Sequence, residues 1–309
     1  MLLSDQPLVS VIIPSYNHAN FIGKAIQSVL DQTYNKYEII VIDNNSNDGT
    51  HEIVASFGNT SVIRMLDINN NGIIAASRNM GISAAQGEWV AFLDSDDSWM
   101  PDKLEKTMQA AAMGKERPYD VICHNEVKIY EDSLDQDPLT HGPHEEDFYQ
   151  ALLMEGNRLS TSATVVRRDF LLKYNLQFNE SEGFVTAEDY ALWLDLARFR
   201  ARFYFINETL GEYFIHKENN SGSLQRHFKN IENLLHHHVY KVQEFSSNKN
   251  KVWSKILPRL RFSEIKLYLL SKKFYFALKI FIKTIFEIPV GSISYIANKF
   301  IKCISRSRR

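Results

Sequence analysis

Over its first hundred residues the chain alternates short, continuously apolar runs with stretches of helical period: "LVSVIIPSY", "NFIGKAIQSVLDQ", "YEIIVIDNNS", "GTHEIVASFG", "SVIRMLDI", "GIIAASRNMGISAAQ" and "EWVAFLDSDD". A strand that is apolar on both sides has both faces covered, and joining parallel neighbours takes a crossover, usually a helix. The alternation therefore predicts an α/β fold, a mixed and mainly parallel sheet covered by helices. In sheets of this kind ligands settle beyond the carboxyl ends of the strands. The residues found there are Ser15 to Asn17, Asp43 to Ser46, and Asp94 to Asp97.

From about 101 to 215 the pattern loosens into α+β material that completes the same domain. A helix, "PDKLEKTMQAAAM", opens with Pro101 in its first turn,. A strand "YDVICHNEVKIY", an acidic loop near 131 to 147 and a second helix "AEDYALWLDLARF" follow. We expect one domain over 1–225, with halves of about 1–100 and 101–225, and a helical appendage over 226–309. The formal charge of -2 conceals an asymmetry. Residues 251 to 309 hold 14 Lys or Arg against Glu264 and Glu287, which leaves 21 basic and 35 acidic residues before position 251. Two oppositely charged parts imply two kinds of partner. Cys123 and Cys303 give no disulfide framework and no paired-cysteine metal site,. With no leader pattern and no run of about 18 apolar residues, the protein is expected in the cytoplasm.

The turn after Leu93 crowds Asp94, Asp96 and Asp97 into four positions, where mutual repulsion calls for a positive partner. A solvated turn with a capping aspartate is one reading. A calcium loop is another, although Trp99 stands where that loop needs glycine,. The third is a site of hard oxygen ligands for Mg²⁺ or Mn²⁺ whose open positions phosphate oxygens complete. The other strand ends bear on this choice. Asp43 offers acceptors to a nucleobase or ribose, Pro14, Tyr16 and Asn17 offer a surface for a ring, and Arg78 offers a fork suited to phosphate, though a surface ion pair is its simpler role,. Glu188 and Asp189 open a helix, where acids are favoured in any case, and either suits a general base. Trp193 falls on the same helical face as Asp189, as an acceptor shield or as a core residue,.

Taken in order, "VSVIIPSYN", "VIDNNSNDGT", "NGIIAASRNMGI", "GEWVAFLDSDD" and "EDYALWL" resemble the motifs of family 2 glycosyltransferases, nucleotide-diphospho-sugar enzymes of the GT-A fold, over roughly residues 8 to 220. The resemblance implies that Asp43 recognises the base, Arg78 contacts nucleotide or pyrophosphate, and Asp94-Ser95-Asp96 is the DXD motif with Asp96 on the metal. It also implies that Asp189 is the general base of an inverting hexosyltransferase, and that His216 contacts metal or diphosphate. Pro14, Tyr16 and Asn17 would line the donor pocket, and Glu188 and Trp193 the acceptor pocket. Where a second Asp often follows the first in "DNNS", this chain has Asn44. On this reading the three aspartates repel one another until a metal diphosphate joins them.

The implied donor is a nucleoside-diphosphate sugar, a UDP-sugar by preference. The implied acceptor is a saccharide, possibly lipid-linked, in bacterial O-antigen, capsule or exopolysaccharide synthesis, with recognition expected from 140 to 185. Two rivals stand beside this. A dinucleotide-dependent oxidoreductase would need a Gly-x-Gly-x-x-Gly after the first strand, which "PSYNHANFIG" is not,. A noncatalytic nucleotide-sugar-binding scaffold would not need Asp189. In the appendage, Lys272, Lys279, Lys283 and Glu287 form a polar stripe beside Phe274, Phe281, Ile282, Ile285 and Phe286, Pro289 breaks the helix, and a second basic stretch ends in "KCISRSRR". Such a face suits peripheral attachment to the inner surface of the cell membrane, a cap on the catalytic domain or a homo-oligomer contact. It is too apolar for nucleic acid. The run His236, His237, His238 reads as a solvated face.

Overall fold

The computed structural model describes residues 6–58, 61–70, 72–114, 117–216, 224–242 and 248–287. Strand β1 (Val9–Ser15) is followed by α1 (Ala19–Leu30), β2 (Tyr37–Asp43), α2 (Thr50–Ser56), β3 (Ile63–Asp67), α3 (Ile74–Ala84) and β4 (Trp89–Phe92). Each apolar run is a strand and each run of helical period is a helix. β1 pairs in parallel with β2 and β4, and β2 with β3. Every residue of β1 and β4 is buried, as strands covered on both faces must be,. Helix α3 lies close on β1, since a Cβ at Gly81 would collide with the Ile12 side chain. The register sets Ser15 opposite Asp43 and Asp43 opposite Asp67, so these three strands end level and their loops gather at one edge.

The chain continues through β5 (Ser98–Trp99), α4 (Lys103–Met113), β6 (Val121–Tyr130), β7 (Gln136–Leu139), α5 (Phe148–Glu155), β8 (Thr164–Arg167), α6 (Arg168–Tyr174), α7 (Glu188–Arg198) and β9 (Phe203–Ile215). The sheet runs β3-β2-β1-β4-β8-β6-β9-β5, with β7 on the outer half of β6. β8 lies antiparallel to both β4 and β6, whereas β6 and β9 are parallel, so the sheet is mixed. The acidic segment 131–147, expected as a loop, carries the edge strand β7. Its Pro138 sits opposite Val127, at an edge where its missing N–H is tolerated,.

By internal contacts the chain forms two compact units. One comprises Met1–Tyr149, Asn157–Glu180 and Glu188–Asn219, and the other Gln150–Gly156, Ser181–Ala187 and Asn220–Arg309. The first holds the sheet. In the second, α8 (Leu224–His237), a π-helical turn (His238–Val242), α9 (Lys249–Leu270) and α10 (Phe274–Glu287) follow one another. Arg261 of α9, its side chain 3% exposed, meets Glu232 of α8 at 2.8 Å, Glu264 at 3.3 Å and Glu287 of α10 at 3.1 Å. The three consecutive histidines point apart. His236, stacked on Tyr240, and His237, edge-on to Phe184, are exposed as a solvated face would be, whereas His238 turns inward and is buried. Among the described residues no helix is long and apolar enough to cross a membrane. Pro289 and the stretch ending in "KCISRSRR" lie outside the described residues.

Candidate active site

The chain leaves β4 at Leu93, whose N–H donates to Ile12 O, and the following turn closes through Asp97 N–H to Asp94 O, both at 3.0 Å. The three carboxylates then part. Asp97 is buried and accepts from Ser162 Oγ at 2.5 Å and Phe214 N–H at 2.9 Å. Burial, then the nearby charges of Asp96 and Glu126, push its pKa well up. Asp94 meets Arg78 Nη2 at 2.6 Å, and Asp96 meets His216 Nε2 at 3.0 Å. The expectation that these aspartates lack any partner short of a metal diphosphate is corrected here. A guanidinium from α3, an imidazole just past β9, and the loop before β8 each take one carboxylate. Ser162 binds the turn twice more, through Asp94 N–H to its Oγ at 3.1 Å and Trp99 Nε1–H to its carbonyl at 2.8 Å.

Arg78 is 3% exposed and spans two elements of the site. Its Nη2 holds Asp94 and its Nη1 reaches Glu188 at 3.1 Å, at the head of α7. Burial by itself would lower the Arg78 pKa, but the charges of Asp94 and Glu188 outweigh it, and the guanidinium is held above its ordinary value,. It is an internal clamp, not a surface ion pair. Asp189, the next residue along α7, accepts from its own helix at Tyr190 N–H, 2.6 Å, and from Asn157 Nδ2 at 3.3 Å. Burial, and after it the charge of Glu188, raise its pKa to about 7, with Arg78 opposing. Trp193 is fully buried, edge-on to Phe178. The expectation that it lines an acceptor pocket is corrected: with no exposed surface it braces α7 from beneath.

The loops after β1 and β2 are stitched together. Asn17 N–H donates to Ser46 Oγ at 2.8 Å, and Asn47 N–H donates to Asn17 Oδ1 at 2.9 Å. Asn17 and Asn45 take φ of 51° and 61°, a region asparagine enters more readily than most residues,. Tyr16 is 52% exposed, whereas Pro14 is buried within β1 opposite Ile42. Asp43 is fully buried, accepting Ser46 Oγ on Oδ1 at 2.6 Å and both Ser46 N–H and His51 Nε2 on Oδ2, at 2.8 and 3.1 Å. A carboxylate has about four acceptor sites, so Oδ1 retains room for one donor. Asn44 donates to Asn70 Oδ1 at 2.6 Å and accepts Asn70 N–H at 3.3 Å, a pairing that an aspartate could only half make.

Two contacts at the aspartate turn escape sequence reasoning. Ser162 is one, and His18, whose Nδ1 lies 2.7 Å from Ser95 Oγ, is the other. His18 and Ser95 are 77 residues apart in the chain, and no local pattern signals their meeting. The ligand chemistry suits a divalent cation bound in part by the protein. Asp96 Oδ2 and His216 Nε2 supply two converging donors, and water or phosphate oxygens would fill the remaining positions,. Among the described residues, the three ligand groups that come within 4.8 Å of one another are Asp43, His51 and Asp67, away from this turn. His51 Nε2 already lies 3.1 Å from Asp43 Oδ2 and 3.3 Å from Asp67 Oδ1.

The family model for glycosyl transferase family 2 matches residues 10–174. The chain is 32% identical over 209 residues to the putative teichuronic acid biosynthesis glycosyltransferase TuaG of Bacillus subtilis, covering 67% of this chain and 79% of that protein. It is also 32% identical over 200 residues to the Escherichia coli UDP-Glc:alpha-D-GlcNAc-diphosphoundecaprenol beta-1,3-glucosyltransferase WfgD, covering 63% of this chain and 71% of the other. The fold matches S. aureus TarS 1-349 in complex with UDP, with a TM-score of 0.61 at 21% identity over 82% of this chain and 72% of that one. It likewise matches the mannosyltransferase PcManGT of Pyrobaculum calidifontis in complex with GDP-Man and Mn2+, with a TM-score of 0.60 at 17% identity over 98% and 82%. Glycosyltransferases of GT-A type thus share this chain's fold, and the chain belongs to glycosyltransferase family 2.

Proposed function

We propose that the protein transfers a sugar, with inversion, from a nucleoside-diphosphate donor to a saccharide acceptor in the synthesis of a bacterial cell-surface polysaccharide. The observation that carries this reading is Arg78, which ties Asp94 of the aspartate turn to Glu188 beside Asp189. Donor chemistry and proton acceptance are thereby held in one place. Asp189 takes the proton of the acceptor hydroxyl while that oxygen bonds to the anomeric carbon. The bond from that carbon to the donor's phosphate oxygen breaks, and the nucleoside diphosphate leaves with the electron pair. One displacement at one carbon inverts it. Asp96 and His216 would hold Mn²⁺ or Mg²⁺, which when bound supplies charge stabilisation to the departing diphosphate. Arg78 fixes Asp94 and holds Glu188 beside the base.

On the donor side, Tyr16 and the Asn17 loop would pack against the base, Asp43 Oδ1 would accept a single donor from it, and Asp94 and Ser95 would adjoin the phosphates. A UDP-sugar is the donor we favour, since the TarS chain is described with UDP and WfgD by a UDP-Glc donor. A lipid-linked acceptor is supported by the diphosphoundecaprenol in the description of WfgD. We place acceptor recognition in residues 140–185 and at Glu188. Attachment to the inner face of the membrane would run through α10, which presents Phe274, Tyr275, Leu278, Ile282 and Phe286 to solvent. The test is nucleoside diphosphate release from a panel of sugar donors, with and without Mn²⁺. Release that requires one donor and collapses in Asp189→Asn, while donor binding persists, is the expected result. Undiminished release from Asp189→Asn removes the base, and no release from any donor removes the reading.

A further inference from the structure

His18 begins helix α1 as its cap residue, yet its side chain makes no capping hydrogen bond. The ring turns instead to the aspartate turn, where Nδ1 lies 2.7 Å from Ser95 Oγ. The helix end is served by other groups: Asp48 Oδ2 accepts Ala19 N–H at 2.8 Å. The ring is braced on both sides, edge-on to Phe21 at 5.5 Å and to His216 at 6.1 Å between centroids. Phe21 and Phe214 in turn pack on His216, which holds Asp96. A side chain so confined has lost its rotamer freedom before any ligand arrives.

The hydrogen-bond count fixes which nitrogen carries the proton. Ser95 is buried, and His18 Nδ1 is the sole hydrogen-bond partner of its hydroxyl among the described residues. If Nδ1 donated, the hydroxyl hydrogen of Ser95 would be buried without an acceptor, a cost of about 1–3 kcal/mol. The satisfied arrangement has Ser95 Oγ–H donating to Nδ1, which leaves the proton on Nε2. Nε2 has no hydrogen-bond partner among the described residues, and His18 stays partly exposed. The acidic turn therefore carries on its rim one oriented N–H donor with no acceptor among the described residues.

The geometry points to His18 as a further donor-binding residue: its Nε2–H donates to a phosphate oxygen of the nucleoside diphosphate, in the tautomer that Ser95 selects. This rests on the proposed donor class. It adds to it a side chain that neither the aspartate motif nor the helix carrying Asp189 contains. A fixed donor to an anionic oxygen contributes more than a neutral hydrogen bond does, and it distinguishes a nucleoside diphosphate from the nucleoside alone.

The experiment is calorimetric titration of the full chain with UDP and with uridine, both with Mn²⁺, for wild type, His18→Ala, His18→Asn and His18→Gln. The asparagine amide overlays Nδ1 and keeps only the Ser95 contact, whereas the glutamine amide overlays Nε2 and keeps only the outward donor. The expected result is UDP affinity reduced roughly tenfold in the alanine and asparagine variants, nearly restored in the glutamine variant, and uridine affinity unchanged throughout. Rescue by asparagine and not by glutamine would confine His18 to bracing Ser95 and overturn the inference. A parallel loss for uridine, or no loss at all, overturns it as well. Thermal unfolding of each variant identifies a fold defect, and the glutamine-against-asparagine order is then read from the variants that keep the wild-type midpoint. Wild type that binds UDP while the variants match it sinks this inference alone. Wild type that binds none of UDP, GDP and dTDP sinks the donor class with it.

Discussion

Asp189 is held at the head of α7 in surroundings that resist its ionisation, first by burial and then by Glu188, and its pKa is raised to about 7. A carboxylate that accepts a proton must first have lost its own. Activity on the donor and acceptor pair is therefore expected to rise with pH, by roughly tenfold in kcat/KM for each unit below about 7, and to level off above it. A kcat/KM profile from pH 5 to 9 checks this, and a profile that is flat through 7 excludes Asp189 as the group titrating. The folding consequence has the opposite sign. Because the folded state binds this proton more tightly than the unfolded chain, the contribution of Asp189 to stability declines as pH climbs from the ordinary carboxylate range to about 7. Asp94, Asp96 and Asp189 were legible in the sequence because each sits at a strand end or a helix start within an ordered set of motifs. The commitment of Arg78 was not. Its second partner lies 110 residues away, and a guanidinium suited to phosphate is equally suited to two carboxylates until the fold decides. Trp193 shows the same limit, since helical period puts it on the face of Asp189 without saying whether that face looks outward or in.

Among the elements, the parallel half of the sheet was the most legible part. Its strands β1 and β4 are buried throughout and β2 over most of its length, and burial writes itself into composition as unbroken apolar runs,. β5 and β7 were not legible, because two residues at the sheet end and four at an exposed edge need little apolar surface. In the second unit the binding of helix to helix rests on a polar centre. Arg261, 3% exposed, gathers one carboxylate from each of α8, α9 and α10. Burial by itself would lower its pKa, but Glu232, Glu287 and Glu264 together hold it above its ordinary value. Replacing it with methionine keeps the volume and leaves Glu264 buried beside two further acids. Removing one partner of a buried ion pair costs about 3–5 kcal/mol, and the partial exposure of Glu232 and Glu287 puts Arg261→Met toward the lower end. Urea denaturation followed by circular dichroism should show a destabilised helical transition, partly recovered when Glu232 is also neutralised to glutamine. An unchanged transition would mean that apolar contacts alone hold these helices.

At the scale of the whole molecule the charge is divided by position along the chain. Residues before 251 carry a net charge of about -14 and residues 251–309 about +12. An acidic body is repelled by an anionic surface, so any attraction to one must come from the basic end. α10 adds the apolar half of that attraction, with Phe281 and Ile285 each 43% exposed, Phe286 85% exposed, and Lys279 and Lys283 alongside. Each basic residue near an anionic bilayer contributes about 1 kcal/mol, and that part is screened by salt, whereas insertion of aromatic side chains is not. The full chain is expected to sediment with vesicles of mixed phosphatidylglycerol and phosphatidylcholine, less so as salt is raised, and poorly with phosphatidylcholine alone. Phe281 and Ile285 stand one helical turn apart on the same face. Phe281→Glu combined with Ile285→Glu should abolish sedimentation while nucleoside diphosphate release with a soluble saccharide acceptor is kept. Sedimentation that survives both substitutions would place the attachment elsewhere. A sedimentation velocity shift from a larger to a smaller species in the double variant, without vesicles, would show that the face is covered by a second copy of this chain.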